Sequence, residues 1–188
     1  MKIFHLIFVF ILIALWSCGP SSDEKKIASE NYAESISVIK SVNSCDSAYV
    51  DLIQNLLQKI QEPDLNKNKQ KHKLLTDSIN LLDSFYDSLY NKINTSFSKI
   101  EKYKSENQSM SIILEAETLL TKYNLVAENN YKLINEKMKE ISFPVKDIQY
   151  SELLKLSYEA DSTLNSAISI FNKNSNSFCK KYSLKDKN

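Results

Sequence analysis

Hydrophobic residues recur every three or four positions along most of this chain, and the clearest series runs from Leu75 to Tyr103. On an α-helix this spacing places the side chains on one face, so the segment is predicted to be a long amphipathic helix. Burial of each large side chain is worth roughly 1.5 to 3 kcal/mol, so other segments must cover the stripe. Its members are Leu75, Ile79, Leu82, Tyr86, Leu89, Ile93, Phe97, Ile100 and Tyr103.

A first helix is predicted before this segment, from about Asp23 to Gln61, and Pro63 ends it. Its hydrophobic stripe is weak before Ile36, and Asp46 occupies a position where an apolar side chain is expected. A single polar residue in a hydrophobic stripe more often fixes the register of packed helices than binds a ligand. We therefore interpret Asp46 as a residue that fixes register.

A third helix is predicted after Lys104. Ser105 and Gln108 have the spacing of a capping box, in which the serine hydroxyl accepts a backbone hydrogen bond at the helix start. The helix is expected to run to about Ile141, and Asn130 interrupts its apolar stripe as Asp46 interrupts the first. Asn130 is therefore also predicted to fix register.

A fourth helix is predicted to start with Asp147 as its cap and to fray after Phe171, where the apolar pattern decays. Four amphipathic helices joined by short connections favour an all-α, antiparallel up-down four-helix bundle. The alternative is a three-helix core with a loosely docked first helix, because the start of that helix is poorly patterned.

The composition agrees with one helical domain. The chain of 188 residues has one glycine, Gly19, and three prolines, so helix-breaking residues are scarce. Its formal net charge of +1 gives no electrostatic footprint for nucleic acid, so no nucleic-acid partner is expected.

The first eighteen residues predict an export signal. Lys2 is followed by an apolar run from Ile3 to Trp16, which suits the core of a signal peptide and is short for a membrane span of roughly 20 residues. The run leads into Leu15-Trp16-Ser17-Cys18, which resembles the lipobox of bacterial lipoproteins. The resemblance implies that residues 1–17 are removed and that Cys18 is lipidated, so the chain is held on a membrane by fatty acyl chains such as palmitate.

The residue after the cysteine bears on the destination. The sorting rule of Gram-negative lipoproteins retains chains with aspartate at this position in the inner membrane, and Gly19 stands there instead. The resemblance therefore implies the cell outer membrane, with its periplasmic and surface faces both open. The predicted organisation is a signal peptide (1–17), a lipidated cysteine with a flexible tether (18–26), a helical bundle domain (27–184) and a tail (185–188).

Most enzyme classes are disfavoured by missing residues. One glycine cannot build a phosphate-cradling loop, a dinucleotide fingerprint or a nucleophile elbow. His72 is the only histidine after the predicted leader, which disfavours histidine-based metal sites. No catalytic residue, cofactor or metal is predicted. A hydrolase that uses two carboxylates stays a minor alternative, with Asp46, Asp77, Asp83, Asp87 and Asp161 as its candidates.

The leading functional prediction is a membrane-anchored helical module of the bacterial envelope that binds another protein or envelope component without catalysis. Tyrosine is enriched at protein interfaces. Tyr86, Tyr90, Tyr123 and Tyr131 are therefore the candidates for a partner face. The alternative function is a carrier that holds a small apolar ligand in the bundle core.

Overall fold

In a computed structural model, which describes residues 19–62, 65 and 68–184, the chain is helical and contains no strand within those ranges. A single residue, Leu81, separates the second helix from the third, and a π-helical turn joins the fourth to the fifth. The elements therefore form four rods, as in a helical bundle. They are α1 (Ser22–Lys59), α2 (Lys69–Asn80), α3 (Leu82–Glu106), α4 (Ser111–Val126), the π turn (Ala127–Tyr131), α5 (Lys132–Lys139) and α6 (Asp147–Tyr182).

The predicted signal peptide (1–17), the predicted lipidation site Cys18 and the predicted tail (185–188) lie outside the described residues. Within the described ranges, no helix combines the length and the apolar character that a membrane crossing requires.

The predicted stripe from Leu75 to Tyr103 is confirmed as a core element. It is divided between α2 and α3, because the backbone hydrogen-bond pattern is interrupted at Leu81. Three members are only partly buried, namely Tyr86, Phe97 and Tyr103. The other six are buried: Leu75, Ile79, Leu82, Leu89, Ile93 and Ile100.

α1 begins at Ser22, one residue before its predicted start at Asp23 and inside the segment assigned to the tether. Ser21 is its N-cap: the serine hydroxyl accepts a hydrogen bond from the Glu24 amide at 3.2 Å, and the Glu24 carboxylate accepts one from the Ser21 amide at 2.8 Å. Asp23 and Glu24 also carry negative charge at the positive end of the helix dipole. The prediction of a flexible tether through residue 26 is therefore wrong from Ser22 onward.

The N-terminal part of α1 is docked through small and polar residues. Ala28, Asn31 and Ser35 have no solvent exposure, and α1 packs against α3, α4 and α6. Short side chains let neighbouring backbones approach closely, which is a form of core packing that a search for large apolar residues does not detect. The alternative of a loosely docked first helix is therefore wrong.

The capping box predicted at Ser105 is also wrong. α3 continues to Glu106, and the Ser105 hydroxyl donates back to the Lys102 carbonyl at 2.7 Å. α4 starts only at Ser111, and Met110 at its N-cap position supplies no side-chain hydrogen bond.

Asn31 of α1 provides the missing cap from another helix. Its Oδ1 accepts a hydrogen bond from the Met110 amide at 2.8 Å. Its Nδ2 donates to the carbonyls of Gln108 at 3.1 Å and Ile27 at 2.9 Å. One buried amide therefore joins the start of α4 to the first third of α1.

Replacing Asn31 with alanine is expected to lower the free energy of unfolding by about 1 to 3 kcal/mol, because backbone groups at the start of α4 lose their partners. The measurement is urea unfolding followed by circular dichroism. Asn55→Ala, at an exposed position of α1, is the control and is expected to change stability by less than about 0.5 kcal/mol. Equal effects of the two substitutions would contradict a capping role for Asn31.

α6 starts and ends differently from its prediction. Lys146 occupies the N-cap position and Asp147 is the first helical residue, so Asp147 is not the cap. The helix continues to Tyr182, where the rings of Phe178 and Tyr182 lie 4.8 Å apart and Phe178 is buried. The predicted fraying after Phe171 is therefore wrong, because Phe178 anchors the last turns to the core.

Candidate functional site

The predicted lipidation site, Cys18, lies outside the described residues. The residues that follow it are described, and Gly19 has no other atom within 4 Å of the position that a β-carbon would occupy. Gly19, Pro20 and Ser21 are the three residues between Cys18 and the first residue of α1. Little chain therefore separates the predicted anchor from the bundle.

The four candidate tyrosines do not share one exposed face. Tyr86 and Tyr90 are partly buried and stack with ring centroids 5.9 Å apart. The Tyr90 hydroxyl donates to the Glu128 carboxylate at 3.2 Å. Tyr123 and Tyr131 are buried, so a partner cannot reach their side chains without opening the bundle. Only Tyr86 and Tyr90 are left as candidates for surface recognition.

Tyr131 instead belongs to a buried polar cluster whose centre is Asp46. The Tyr131 hydroxyl donates to Asp46 Oδ1 at 2.9 Å, and Asp46 is only 8% exposed. Burial raises the pKa of Asp46 to about 6, and the nearby charge of Asp161 acts in the same direction. The hydrogen bond from Tyr131 opposes this rise in pKa because it stabilises the carboxylate.

Tyr49 extends the cluster along α1. Its hydroxyl lies 3.0 Å from the Tyr131 carbonyl and 2.5 Å from Asn135 Oδ1, and its single proton can serve one of these acceptors at a time. The rings of Tyr49 and Tyr131 pack with centroids 4.7 Å apart. Burial raises the pKa of both phenols above their ordinary value, so they stay neutral hydrogen-bond donors.

The π turn spans Ala127–Tyr131, and Tyr131 at its end is buried beside the position where Asn130 interrupts the predicted stripe. Tyr131 lies four residues after the buried Ala127 and three before the buried Ile134, which places all three on one helix face. Asn130 lies beside the core and donates to the Leu156 carbonyl of α6 at 3.4 Å.

Polar side chains of α1 contact the rod formed by α4, the π turn and α5 at successive positions along both rods. The Tyr123 hydroxyl donates to Asn43 Oδ1 at 3.0 Å, between the Asn31 cap and the Asp46 cluster. A shift of either rod by one helical turn would leave the buried members of these pairs without hydrogen-bond partners. The predicted role of Asp46 in fixing register agrees with this arrangement. Residue numbers rise together on both sides: Asn31 with Met110, Asn43 with Tyr123, Asp46 with Tyr131, and Tyr49 with Asn135.

The other candidate carboxylates are exposed on helix surfaces. Asp83 pairs with Lys139, with Oδ2 and Nζ 2.6 Å apart, and Asp77, Asp87 and Asp161 are exposed. The linings of the five clefts that we characterise contain none of these residues and do not contain Asp46. In the described part of the chain, no three His, Cys, Asp or Glu side chains are arranged to hold a metal ion.

The clefts that border α6 lie between helices at the surface. One of about 300 Å³ lies between α4 and α6, and its lining includes Leu119 and Phe171. Another, of about 330 Å³, lies on the opposite side of α6 against α1 and also includes Phe171. The predicted alternative of a carrier requires a ligand in the bundle core, whereas both clefts are partly open. Comparisons of the chain with protein-family models, curated proteins and solved structures found no match.

Proposed function

We propose that this chain is a lipoprotein of the bacterial cell envelope, anchored through Cys18, whose helical bundle binds a protein or another envelope component without catalysis. The outer membrane is its proposed location, because Gly19 follows the cysteine. The observation that carries the proposal is the sequence Leu15-Trp16-Ser17-Cys18 at the end of a short apolar run, with a capped helix beginning four residues after the cysteine.

The short connection supports a bundle held close to the membrane. Four Cα–Cα steps lie between Cys18 and Ser22, and at about 3.6 Å each they let the start of α1 move no more than roughly 14 Å from a lipidated Cys18. α1 has 38 residues and is therefore about 57 Å long. A rigid rod of that length on a short tether is suited to presenting side chains at a defined distance or orientation relative to a bilayer.

The proposed topology is antiparallel up-down-up-down. Between α1 and α3, Glu34 pairs with Lys99 whereas Tyr49 contacts Tyr86, so residue numbers rise on one helix as they fall on the other. Residue numbers also run in inverse order between α3 and the rod formed by α4, the π turn and α5, and between that rod and α6. The contacts that support it are Lys104 with Glu117, Asp83 with Lys139, Lys137 with Glu152, and Asn130 with Leu156.

The polar interior supports a role in binding rather than reaction. The buried hydrogen bonds of Asp46, Tyr49 and Tyr131 are directed at one another and at neighbouring helices, away from the characterised clefts. Such a cluster fixes one helix register. Recognition is then left to surface residues, including the stacked pair Tyr86 and Tyr90.

The anchoring is tested by replacing Cys18 with serine in the full chain. Metabolic labelling with a fatty acid is expected to mark the unsubstituted protein and to be lost completely in Cys18→Ser, because the thiol is the acceptor of the lipid. Cys45→Ser is the matched control and is expected to keep full labelling. Equal labelling of both variants, or none of the unsubstituted protein, would contradict the proposal.

The binding role is tested by cross-linking in the intact envelope, followed by purification under denaturing conditions. We expect a defined adduct with one protein or envelope component, and we expect Tyr86→Ala and Tyr90→Ala to reduce it. Thr95→Ala, at an exposed position of α3, is the control. Absence of any adduct would contradict the binding role and leave the lipidation result unaffected.

A further inference from the structure

A groove runs between α4 and the C-terminal half of α6. It consists of the cleft of about 300 Å³ described above and a second of about 270 Å³, and Glu115 lines both. On α4 it extends from Ser111 to Lys122, which is about 18 Å of helix. Its apolar side chains include Leu119, Phe171 and Phe178.

Exposed apolar side chains border this groove. Ile170 of α6 lines it and is 56% exposed. On α4, Leu114 is 52% exposed and Leu125 is 46% exposed. They lie four residues before and seven residues after Thr118, on the same helix stripe, and Thr118 lines the groove. Large apolar side chains exposed together beside a groove are characteristic of an interaction site.

Two charged residues on the same helix have no ion-pair partner within the described ranges. Glu115 and Lys122 both line the groove, and the salt bridges of the described residues use other side chains. Seven residues apart, they lie on one helix face. Glu115 and Lys122 are equally far along the chain from a point between Thr118 and Leu119. The corresponding midpoint of Leu114 and Leu125 lies one residue further along α4. The charges and the leucines are therefore arranged almost symmetrically about the same point of α4.

We propose that this face binds a second copy of the chain across a two-fold axis that passes near Thr118 and Leu119. In such an isologous interface, α4 runs antiparallel to α4 of the partner subunit. Glu115 then meets Lys122 of the partner subunit, and Leu114 meets Leu125 of the partner subunit. Each contact occurs twice.

The charge pattern favours a second copy of the chain as the partner and an antiparallel orientation of the two α4 helices. A parallel pairing of the same faces would place Glu115 against Glu115 of the partner subunit, which is repulsive. An antiparallel pairing forms two ion pairs around an apolar centre. A partner without the same sequence would need an acidic and a basic residue at matching positions, whereas a second copy supplies both.

The size of the face predicts a weak dimer. On α6 the groove runs from Thr163 to Lys181, which is about 28 Å of helix. Each helix is roughly 10 Å wide and the groove covers about 18 Å of α4, so each copy would bury on the order of 460 Å². The total is below about 1,200 Å², the range of weak and transient complexes, so we expect a dissociation constant on the order of 1 to 100 μM.

The dimer does not depend on the lipid anchor and can be tested without it. The described helices and the buried core that they form lie between residues 19 and 184. The chain from Gly19 to Asn188 therefore contains the complete bundle. Circular dichroism is used to check that each variant keeps the helical content and the unfolding temperature of the unsubstituted chain.

The first test is sedimentation equilibrium at 5 to 500 μM, a range chosen on the order of the predicted dissociation constant. We expect Glu115→Lys or Lys122→Glu alone to weaken dimerisation at least about 10-fold, because each introduces like charges twice. The double substitution is expected to restore the dissociation constant to within about 3-fold. Lys102→Glu on α3 is the control and is expected to have no effect. A chain that stays monomeric throughout, or a double variant that remains as weak as the single ones, would overturn the proposal.

The second test locates the axis by disulfide cross-linking. Thr118 lies next to the proposed axis, so Thr118→Cys is expected to form a dimer-linking disulfide under mild oxidation. Thr95→Cys is the matched control, because both threonines are exposed on helices and donate to the carbonyl four residues earlier. Equal cross-linking at the two positions, or none at Thr118, would contradict the proposed interface. The unsubstituted chain measures any background from Cys45 and Cys179.

Discussion

Replacing Tyr131 with alanine is expected to lower the free energy of unfolding by about 3 to 5 kcal/mol. The substitution removes a buried ring that packs against Tyr49 and leaves a cavity between α1 and the π turn. It also removes the hydroxyl that donates to Asp46, so a buried carboxylate loses its hydrogen bond. The measurement is urea unfolding at pH 7, followed by circular dichroism.

Two further substitutions separate the contribution of the Tyr131 ring from that of its hydroxyl group. Tyr131→Phe keeps the ring and removes only the hydrogen bond, so it is expected to cost about 1 to 3 kcal/mol. Tyr158→Ala changes a tyrosine that is 75% exposed and is expected to change stability by less than about 0.5 kcal/mol. If Tyr131→Ala were as mild as Tyr158→Ala, the polar cluster would not be part of the packed core.

Acidification is expected to stabilise the unsubstituted chain relative to its Asp46→Asn variant. The pKa of Asp46 is about 6 in the folded chain, above its ordinary value of 3.8. The folded state therefore binds more protons than the unfolded state between these values, and the contribution of this residue to stability falls as the pH rises. At pH 7.5 the charged carboxylate costs about 3 kcal/mol, and this cost disappears as the pH falls toward 4.

The measurement is the free energy of unfolding of both chains between pH 4 and 8. The difference between them is used because other carboxylates lower the stability of both chains in acid. Asp87→Asn, at an exposed position, is the control and is expected to give a curve parallel to that of the unsubstituted chain. A constant difference between the unsubstituted chain and Asp46→Asn would show that burial does not shift the proton equilibrium of Asp46.

Apolar spacing was sufficient to predict the helical class and most of the core. Buried positions such as Leu89, Ile93 and Ile100 follow directly from the helical repeat of the sequence. The start of α1 was also predictable, since Ser21 and Glu24 have the spacing of a capping box. The same spacing at Ser105 led to the wrong boundary for α4, because a local motif competes with contacts from distant residues.

The features that the sequence did not reveal depend on partners far away along the chain. Asn31 caps α4 although 77 residues separate it from Gln108. Tyr131 is buried between Ala127 and Ile134 on the core face, whereas the sequence pattern placed Asn130 at this position of the stripe. Asp46 was predicted to interrupt the apolar stripe and fix register, but its hydrogen-bond partner Tyr131 was predicted as a candidate for a partner face.

The interior and the surface of the bundle therefore have different roles in the proposed function. Polar groups inside the bundle, above all Asp46, fix one arrangement of the helices. That arrangement then determines which exposed residues lie together, as Glu115 and Lys122 do beside the groove of α6. Destabilising the cluster is expected to weaken both partner binding and dimer formation without any change at the surface.

Lipid anchoring of the bundle is measured most directly by the intact mass of the protein, purified in detergent from its own envelope. We expect residues 1–17 to be absent and the mass of residues 18–188 to be increased by a glyceride and fatty acyl chains. Fragmentation is expected to place the whole increase on Cys18. A chain that keeps residues 1–17, or one that begins at Cys18 or elsewhere without any added lipid, would contradict a lipid-anchored bundle.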